Sequence, residues 1–273
     1  MIRWPPLAVV IIIKIMTDII KVHRIDSQMP GPNLLLIAGV HGDENEPILA
    51  ALELVKELPG LLGSGSVSIV PICNESAHNF GMRMGEDGLD MARTCPGNSK
   101  GTVTERAASE ISILIRKSDY LIDMHTGGLC YDIYPLAGYM LHPSPVLLKT
   151  QQEMAFAFNL PLIWGTDYKP EGRTLSVARD ANIPAIYLEY GGGTGIRKKV
   201  IIDYKAGVLN VLRYLNMINS KINSFPVCDK YWIEDHRQDS GFLQGKMPSP
   251  ADGIFLAEVE IGDRIKAGEL FGK

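Results

Sequence analysis

The chain has 273 residues, of which 46% are hydrophobic and 21% charged, and its formal net charge is −4. This composition is typical of a globular protein with one large domain, or one large and one small domain, and it argues against a disordered chain. The net negative charge argues against a nucleic-acid binder, which needs a basic face. The four cysteines form no C-x-x-C pair and are too few for a disulfide scaffold, so a reducing cytoplasm is the expected location.

The first notable segment is an apolar run at residues 7–13, LAVVIII. Seven residues are too few to cross a bilayer as a helix. Their β-branched side chains favour a buried strand over a signal peptide. We therefore expect no membrane segment and no membrane partner.

The hydrophobic pattern alternates between strands and amphipathic helices along most of the chain. This order predicts an α/β fold with a mixed, largely parallel sheet and helices on both faces. Between two predicted elements, residues 74–101 form a long loop, and loops of this length inside compact domains are usually functional. Strands are predicted at 8–16, 18–25, 34–39, 66–73, 120–125 and 184–188, the last leading into a glycine loop that ends at residue 193, and helices at 47–58, 104–117, 145–158, 175–182 and 199–219.

The pattern changes near the carboxyl terminus. From about residue 225 the helical periodicity is lost, and short apolar stretches alternate with Gly, Pro and Asp turns. We place a domain boundary near residue 222, which gives a larger domain over residues 1–222 and a small β-domain over residues 223–273.

Three groups of polar residues follow or close predicted strands. His41 and Glu44 come after the strand 34–39, Asp123 and His125 close the strand 120–125, and Glu189 lies at the end of an apolar strand. Ligands of open α/β sheets bind at the carboxyl ends of strands, so these side chains are expected to converge.

The residue types fit a catalytic zinc site, which takes three ligands from His and Asp/Glu and leaves one position open. His41 and Glu44 form a short pair, and His125 is a distant third ligand. Glu189 is then the general base, which takes a proton from water and passes it to the leaving nitrogen. Asp123 lies two residues before His125 on a strand and so points to the same face. Asp43 either orients a ligand or caps the following helix.

Several motifs together resemble the aspartoacylase and succinylglutamate desuccinylase family of zinc carboxypeptidase-like hydrolases. They are VHGDE at 40–44, DMHTGG at 123–128, and the segment from IPAI at 183–186 to EYGG at 189–192. The resemblance spans roughly residues 30–273. It implies one zinc per chain bound by His41, Glu44 and His125, with Glu189 as the base. It also implies that the small β-domain resembles the biotinyl/lipoyl carrier fold.

The long loop resembles the same family at DGLDMARTCPG, residues 87–97. By resemblance, Arg83 stabilises the oxyanion of the tetrahedral intermediate, Arg93 binds a substrate carboxylate, and Asn74 belongs to the substrate site. A guanidinium offers a bidentate fork to either kind of oxygen, which agrees with these roles.

The chain departs from the family pattern at one position. The family has an asparagine before the carboxylate-binding arginine, and this chain has Ala92. One hydrogen-bond donor is therefore missing. Arg173, in the segment before the Glu189 strand, is a candidate to hold the carboxylate instead, and a surface arginine is the alternative interpretation.

The sequence thus predicts a zinc-dependent deacylase that cleaves the amide bond of an N-acyl amino acid or a related small carboxylate. One alternative is a zinc carboxypeptidase acting on a peptide or a cell-wall stem. A second is an inactive relative that binds metal and carboxylate, which only Ala92 favours. A homo-oligomer is compatible with the sequence.

Overall fold

The structure is a computed structural model that describes residues 11–16, 19–193, 195–218, 229–238, 240–241 and 249–273. Nine strands form one sheet in the order β1-β2-β4-β3-β5-β8-β6-β7-β9. The strands are β1 (Ile11–Met16), β2 (Lys21–Asp26), β3 (Asn33–Ile37), β4 (Ser66–Val70), β5 (Tyr120–His125), β6 (Asp132–Met140), β7 (Leu162–Thr166), β8 (Ala185–Gly192) and β9 (Tyr231–Glu234). The helices are α1 (Asn45–Glu57), α2 (Glu75–Phe80), α3 (Val103–Arg116), α4 (Pro145–Phe158), α5 (Thr174–Asp180) and α6 (Lys198–Tyr214).

The expectation of a mixed, largely parallel sheet is confirmed. Strands β4, β3, β5 and β8 run parallel at the centre, and β6, β7 and β9 are parallel to one another. Antiparallel pairing joins β1 to β2, β2 to β4 and β6 to β8.

Helices cover both faces of the sheet because the central strands are apolar on both sides. In β3, Leu34 and Leu36 face one core layer with α1, α4 and α6, whereas Leu35 and Ile37 face a second layer with α3 and α5. All four leucine and isoleucine side chains are buried. This burial on both faces explains why β3 appears in the sequence as a continuous apolar run.

The structure contains four elements that the sequence pattern did not predict: α2, β6, β7 and β9. Strand β6 was hidden by Pro135 and Gly138, and its pairing with β8 shifts register between Ile133 and Leu136. Helix α2 has only six residues and lies within the predicted loop.

The carboxyl-terminal region differs from the prediction in part. The predicted boundary near residue 222 lies outside the described residues. Strand β9, assigned by the sequence to the small domain, instead extends the main sheet beside β7. Tyr139 anchors it by donating a hydrogen bond to Glu234 (2.7 Å) and accepting one from Trp232 (2.9 Å).

The last described segment, residues 249–273, consists of turns with one antiparallel bridge between Ala257 and Gly272. A small β-domain therefore stays a prediction there. Within the described part of the chain, none of the helices combines the length and apolar character needed to cross a bilayer.

Candidate metal centre and active site

A tight turn between β3 and α1 carries the first two predicted ligands. We call residues 41–46 the metal turn. Gly42 is required within it because the turn packs directly on α2. An added Cβ would overlap the backbone of Ala77 and His78, and the Gly42 N–H donates to the Met82 carbonyl (2.9 Å).

The third predicted ligand and the predicted base lie side by side on adjacent parallel strands. His125 on β5 pairs in register with Glu189 on β8, and Asp123 pairs with Tyr187. Because side chains alternate along a strand, these four project to the same face of the sheet. The alternate residues of both strands, such as Met124 and Leu188, are buried in the opposite core layer.

His41, Glu44 and His125 are all buried, and their ligand atoms lie within 4.8 Å of one another. Nδ1 of His41 is 2.6 Å from Glu44 Oε1, and Nδ1 of His125 is 3.0 Å from Glu44 Oε2. Each histidine thus directs its Nδ1 at the Glu44 carboxylate, and the three side chains converge on a common point. This is the donor set of a three-ligand metal site with an open fourth position.

The second nitrogen of each histidine is held by its own carboxylate. Nε2 of His41 is 3.1 Å from Asp90 Oδ1, and Nε2 of His125 is 3.0 Å from Asp123 Oδ1. Metal-bound histidines characteristically have such a carboxylate partner, which fixes the ring and leaves the other nitrogen free for the ion. The residues present therefore fit a metal ion.

The charges of the cluster also favour a cation. Burial would lower the pKa of His41, but Glu44 and Asp90 outweigh it and raise this pKa. Burial opposes Asp123 and Glu44 at His125 as well, yet they raise its pKa well above the ordinary value. Burial would raise the pKa of Glu44, but the two histidines lower it to about 2. Positive charge beside the buried carboxylates is thus favourable.

Glu189 lies beside this cluster without being part of it. Its Oε2 is buried and has no hydrogen-bond partner in the described structure. Burial raises the pKa of Glu189 to about 8, with His125 opposing the shift and the Glu44 carboxylate adding to it. A carboxyl group with a pKa near neutrality is suited both to accept and to donate a proton.

The three predicted arginines line the same cavity as Glu189 and the histidines. Arg83 forms an ion pair with Asp90 (2.9 Å), the carboxylate that also contacts His41. Although burial would raise the pKa of Asp90, these two partners hold it well below its usual value.

Arg93 and Arg173 are brought together by their loops. The Cys95 N–H donates to the Gly172 carbonyl (3.0 Å), and the Cα of Gly172 packs against the Arg93 backbone, leaving no room for a side chain. Burial lowers the pKa of Arg173, and the nearby charge of Arg93 lowers it further. Two adjacent guanidinium groups in a cavity form a binding site suited to an anion.

Asn74 is the exception among the predicted site residues, because its side chain is 1% exposed and does not line this cavity. Its Oδ1 accepts the Ala77 N–H (3.1 Å) and caps α2, and its Nδ2 contacts Thr104. The geometry therefore gives Asn74 a structural role in place of the predicted contact with substrate.

Three residues of the site were missed from the sequence as functional candidates: Asp90, Thr174 and Tyr187. Thr174 donates a hydrogen bond to Asp123, and Tyr187 lines the cavity beside Glu189. Tyr187 could have been found by strand alternation, since it lies two residues before Glu189. Asp90 lay within the quoted DGLD motif, but nothing in the pattern linked it to His41.

The family model of the succinylglutamate desuccinylase/aspartoacylase catalytic domain matches residues 30–215. The chain belongs to this family. The N-alpha-acetyl-L-2,4-diaminobutyric acid deacetylase of Halomonas elongata is a family relative that is 30% identical over 249 residues, covering 89% of this chain and 70% of the relative.

Solved structures confirm the fold. The succinylglutamate desuccinylase/aspartoacylase from Rhodobacter sphaeroides superposes with a TM-score of 0.80 at 25% identity, covering 93% of this chain and 75% of that one. The product-bound ectoine utilization protein EutE (DoeB) from Ruegeria pomeroyi gives a TM-score of 0.79 at 24% identity, with coverages of 93% and 76%.

Proposed function

We propose that this member of the family is a zinc-dependent deacylase that hydrolyses the amide bond of a small N-acyl amino acid. The observation that carries the proposal is the His41, Glu44 and His125 cluster with Glu189 on the adjacent strand, whose buried Oε2 has no hydrogen-bond partner among the described residues. The relative from Halomonas elongata, named as a deacetylase of an N-acetylated amino acid, supports the reaction class.

Each group of the site has a place in the reaction. A zinc ion held by His41, Glu44 and His125 would polarise the acyl carbonyl and lower the pKa of water to about 7. Glu189 removes a proton from the attacking water and returns it to the amine as the carbon–nitrogen bond breaks. Arg83 lies at the cavity wall, where its guanidinium stabilises the developing oxyanion.

The arginine pair supplies recognition of the substrate carboxylate. Arg93 and Arg173 face the same cavity, and the missing amide at Ala92 is compensated by the second guanidinium. A bidentate arginine contact fixes both the position and the orientation of a carboxylate. The bound carboxylate in turn relieves the repulsion between the two like charges.

The size of the cavity favours a small substrate over a peptide. Its volume is about 110 Å³, below the roughly 300–1,000 Å³ of typical ligand pockets. This observation makes a carboxypeptidase acting on a cell-wall stem the second candidate. An inactive binder is the least favoured, because it would have no use for a glutamate beside the metal cluster whose buried Oε2 has no hydrogen-bond partner in the described structure. A cytoplasmic location and a homo-oligomer stay predictions.

The decisive experiment compares wild type with Glu189→Gln on a panel of N-acyl amino acids and short peptides, with primary-amine release as the measurement. We expect release by zinc-loaded wild type from N-acyl amino acids. The variant keeps its zinc and loses turnover by at least about a hundredfold, the scale of general-base catalysis.

Zinc content is measured on both proteins by elemental analysis. Turnover that survives in Glu189→Gln would contradict the role of Glu189. Release from peptides alone would favour the peptidase. A zinc-loaded wild type that releases amine from no compound would contradict the deacylase assignment.

A further inference from the structure

One loop contributes to the cavity wall, and a second segment is hydrogen-bonded to it. The first rim loop, residues 126–131, contributes Thr126, Gly127 and Tyr131 to the cavity wall and leads into Ile133. The second rim segment, residues 191–193 and 195–197, follows Glu189 on β8 and supports the first loop without lining the cavity itself. The first loop is exposed at its tip, where Leu129 and Tyr131 are more than half accessible to solvent. An exposed loop of this kind needs specific contacts to hold its cavity-facing residues in place.

Asp43 of the metal turn holds the tip of the first rim loop. Its Oδ2 accepts the Leu129 N–H at 3.0 Å. Residue 128 is a glycine with φ of +57°, and an added Cβ there would overlap the Asp43 carboxylate. The first rim loop can therefore pack this closely on the Asp43 carboxylate only with a glycine at position 128. The metal turn's other roles do not use Asp43: it contacts neither histidine, and α1 has no side-chain hydrogen bond at its amino-terminal cap.

Glu46 of the same turn holds the second rim segment. It is 4% exposed, and its Oε1 accepts the Arg197 N–H at 3.1 Å. The Arg197 side chain then reaches across to Asp132, with nitrogen–oxygen distances of 2.8 and 3.1 Å, just after the first rim loop. Arg197 also donates to the Gly192 carbonyl.

Backbone hydrogen bonds join the two rim segments directly. The Gly127 N–H donates to the Gly191 carbonyl (3.0 Å), and the Gly193 N–H donates to the Gly128 carbonyl (2.8 Å). With Asp43 at one end and Glu46 at the other, the contacts form a closed ring. The ring runs from the metal turn through both rim segments and back to the metal turn.

We propose that Asp43 and Glu46 are positioning residues that fix the two rim segments to the metal turn, so that one six-residue segment places two of the predicted metal ligands and also part of the cavity wall. The expected kinetic effect rests on the proposed function. The proposal deepens that function by naming the contacts that hold the cavity wall. Neither residue touches the reacting atoms. Asp43 acts through Leu129 and the first rim loop, and Glu46 acts through Arg197.

The kinetic consequence is specific. A loosened rim must be ordered each time substrate binds, which weakens binding. The distance between the metal cluster and Glu189 is set by the sheet and stays unchanged. Loss of the Asp43 contact should therefore raise KM with little effect on kcat. A hydrogen bond to a charged acceptor corresponds to roughly a tenfold or larger change in an equilibrium constant.

The test is Asp43→Ala, with Asp43→Asn as the conservative variant and Asp119→Ala as the matched control. Asp119 also accepts a backbone N–H through its carboxylate, from Asn33 at 2.7 Å, but at the opposite ends of the strands. The measurements are kcat and KM, zinc per chain, and amide hydrogen exchange of the first rim loop in the zinc-loaded full chain.

For Asp43→Ala we expect a KM raised about tenfold, a kcat within about threefold of wild type, unchanged zinc content and faster exchange at residues 127–131. Asp43→Asn keeps an acceptor oxygen and restores most of the affinity. Asp119→Ala leaves KM and the exchange of the rim loop at wild-type values.

The proposal is overturned if Asp43→Ala loses zinc, if kcat falls while KM is unchanged, or if exchange at residues 127–131 does not increase. An Asp43→Asn variant as impaired as Asp43→Ala would likewise overturn it, since charge and not the hydrogen bond would then matter. Hydrogen exchange needs no substrate, so this arm still decides the positioning role if the deacylase assignment fails.

Discussion

At the scale of single residues, Asp90 joins two parts of the site that the sequence presents separately. One of its oxygens contacts Nε2 of His41 and the other contacts Arg83. The ring of a predicted metal ligand and the guanidinium of the predicted oxyanion group are therefore oriented by one carboxylate. Three residue types in a chain of contacts fix the geometry that the reaction needs.

Arg173 gives the clearest prediction at this scale. Because its guanidinium lies with that of Arg93 at the cavity, Arg173→Ala should raise KM for an N-acyl amino acid by about 10- to 100-fold, the range of one charge-assisted contact. The effect on kcat should be smaller. Steady-state kinetics over a range of substrate concentrations measure both constants.

Arg237→Ala is the control for Arg173→Ala, because Arg237 is an exposed arginine that pairs only with nearby Asp235 among the described residues. The Arg237→Ala variant should keep the KM and kcat of wild type. An unchanged KM in Arg173→Ala would contradict a role for Arg173 in substrate binding and leave carboxylate binding to Arg93.

The sequence indicates a residue's place in the site well when few structural roles suit that side chain at that position. It does so poorly when the role depends on which elements pack nearby. The convergence of His41, Glu44, His125 and Glu189 could be predicted because few structural tasks place such side chains at the ends of buried strands. The position of Asn74 outside the cavity could not be predicted, because a side-chain amide after a strand caps a helix as readily as it binds a substrate. Only the position of α2 decides between the two.

At the scale of elements, α2 shows how a short helix determines a functional turn. The metal turn contains one glycine, Gly42. The structure shows that it serves contact, since Gly42 has no space for a side chain against the α2 backbone. This requirement could not be predicted, because six mainly polar residues give no helical periodicity.

Gly42→Ala should therefore destabilise the protein and loosen the metal turn. Overpacking against backbone typically costs about 1–3 kcal/mol, which for a domain of this size lowers Tm by roughly 2–10 °C. Thermal unfolding and zinc content are the measurements. We expect both Tm and zinc occupancy to fall.

Gly60→Ala is the matched control, because an added Cβ at Gly60 meets no atom within 4 Å. This variant should keep the wild-type Tm within error and bind zinc normally. A stable, fully metallated Gly42→Ala protein would show that α2 moves away at little cost.

At the scale of the whole molecule, the site depends on long-range assembly of the sheet. The predicted metal ligands and the proposed base come from the ends of β3, β5 and β8, and the cavity wall also includes Gly241 beyond β9. Continuous apolar runs in the sequence predicted the central strands because these strands are buried on both faces. Such runs could not predict that β9 pairs with β7, since its four residues are exposed and carry no core pattern.

Removal of metal should lower the stability of the whole domain. Without a cation, the buried carboxylates of Glu44 and Asp123 face each other's charges with only the histidines between them. A ligand that binds only the folded state stabilises it by mass action. Treatment with a chelator should therefore lower Tm, and added zinc should restore it in proportion to the logarithm of its free concentration. A Tm unaffected by chelator in protein of known zinc content would contradict a structural contribution of the metal.

The pairing of His125 with Glu189 across two neighbouring strands also bears on how such a protein diverges. Adjacent strands lie about 4.8 Å apart whatever side chains they carry, so the spacing of ligand and base is inherited with the sheet itself. Substitutions in the surrounding loops change what fills the cavity and leave that spacing intact. A single inserted or deleted residue within β8 would instead turn Glu189 into the opposite core layer. We therefore expect a new specificity to evolve on this scaffold by replacement of residues around the cavity. We do not expect it to evolve by changes in the length of β5 or β8.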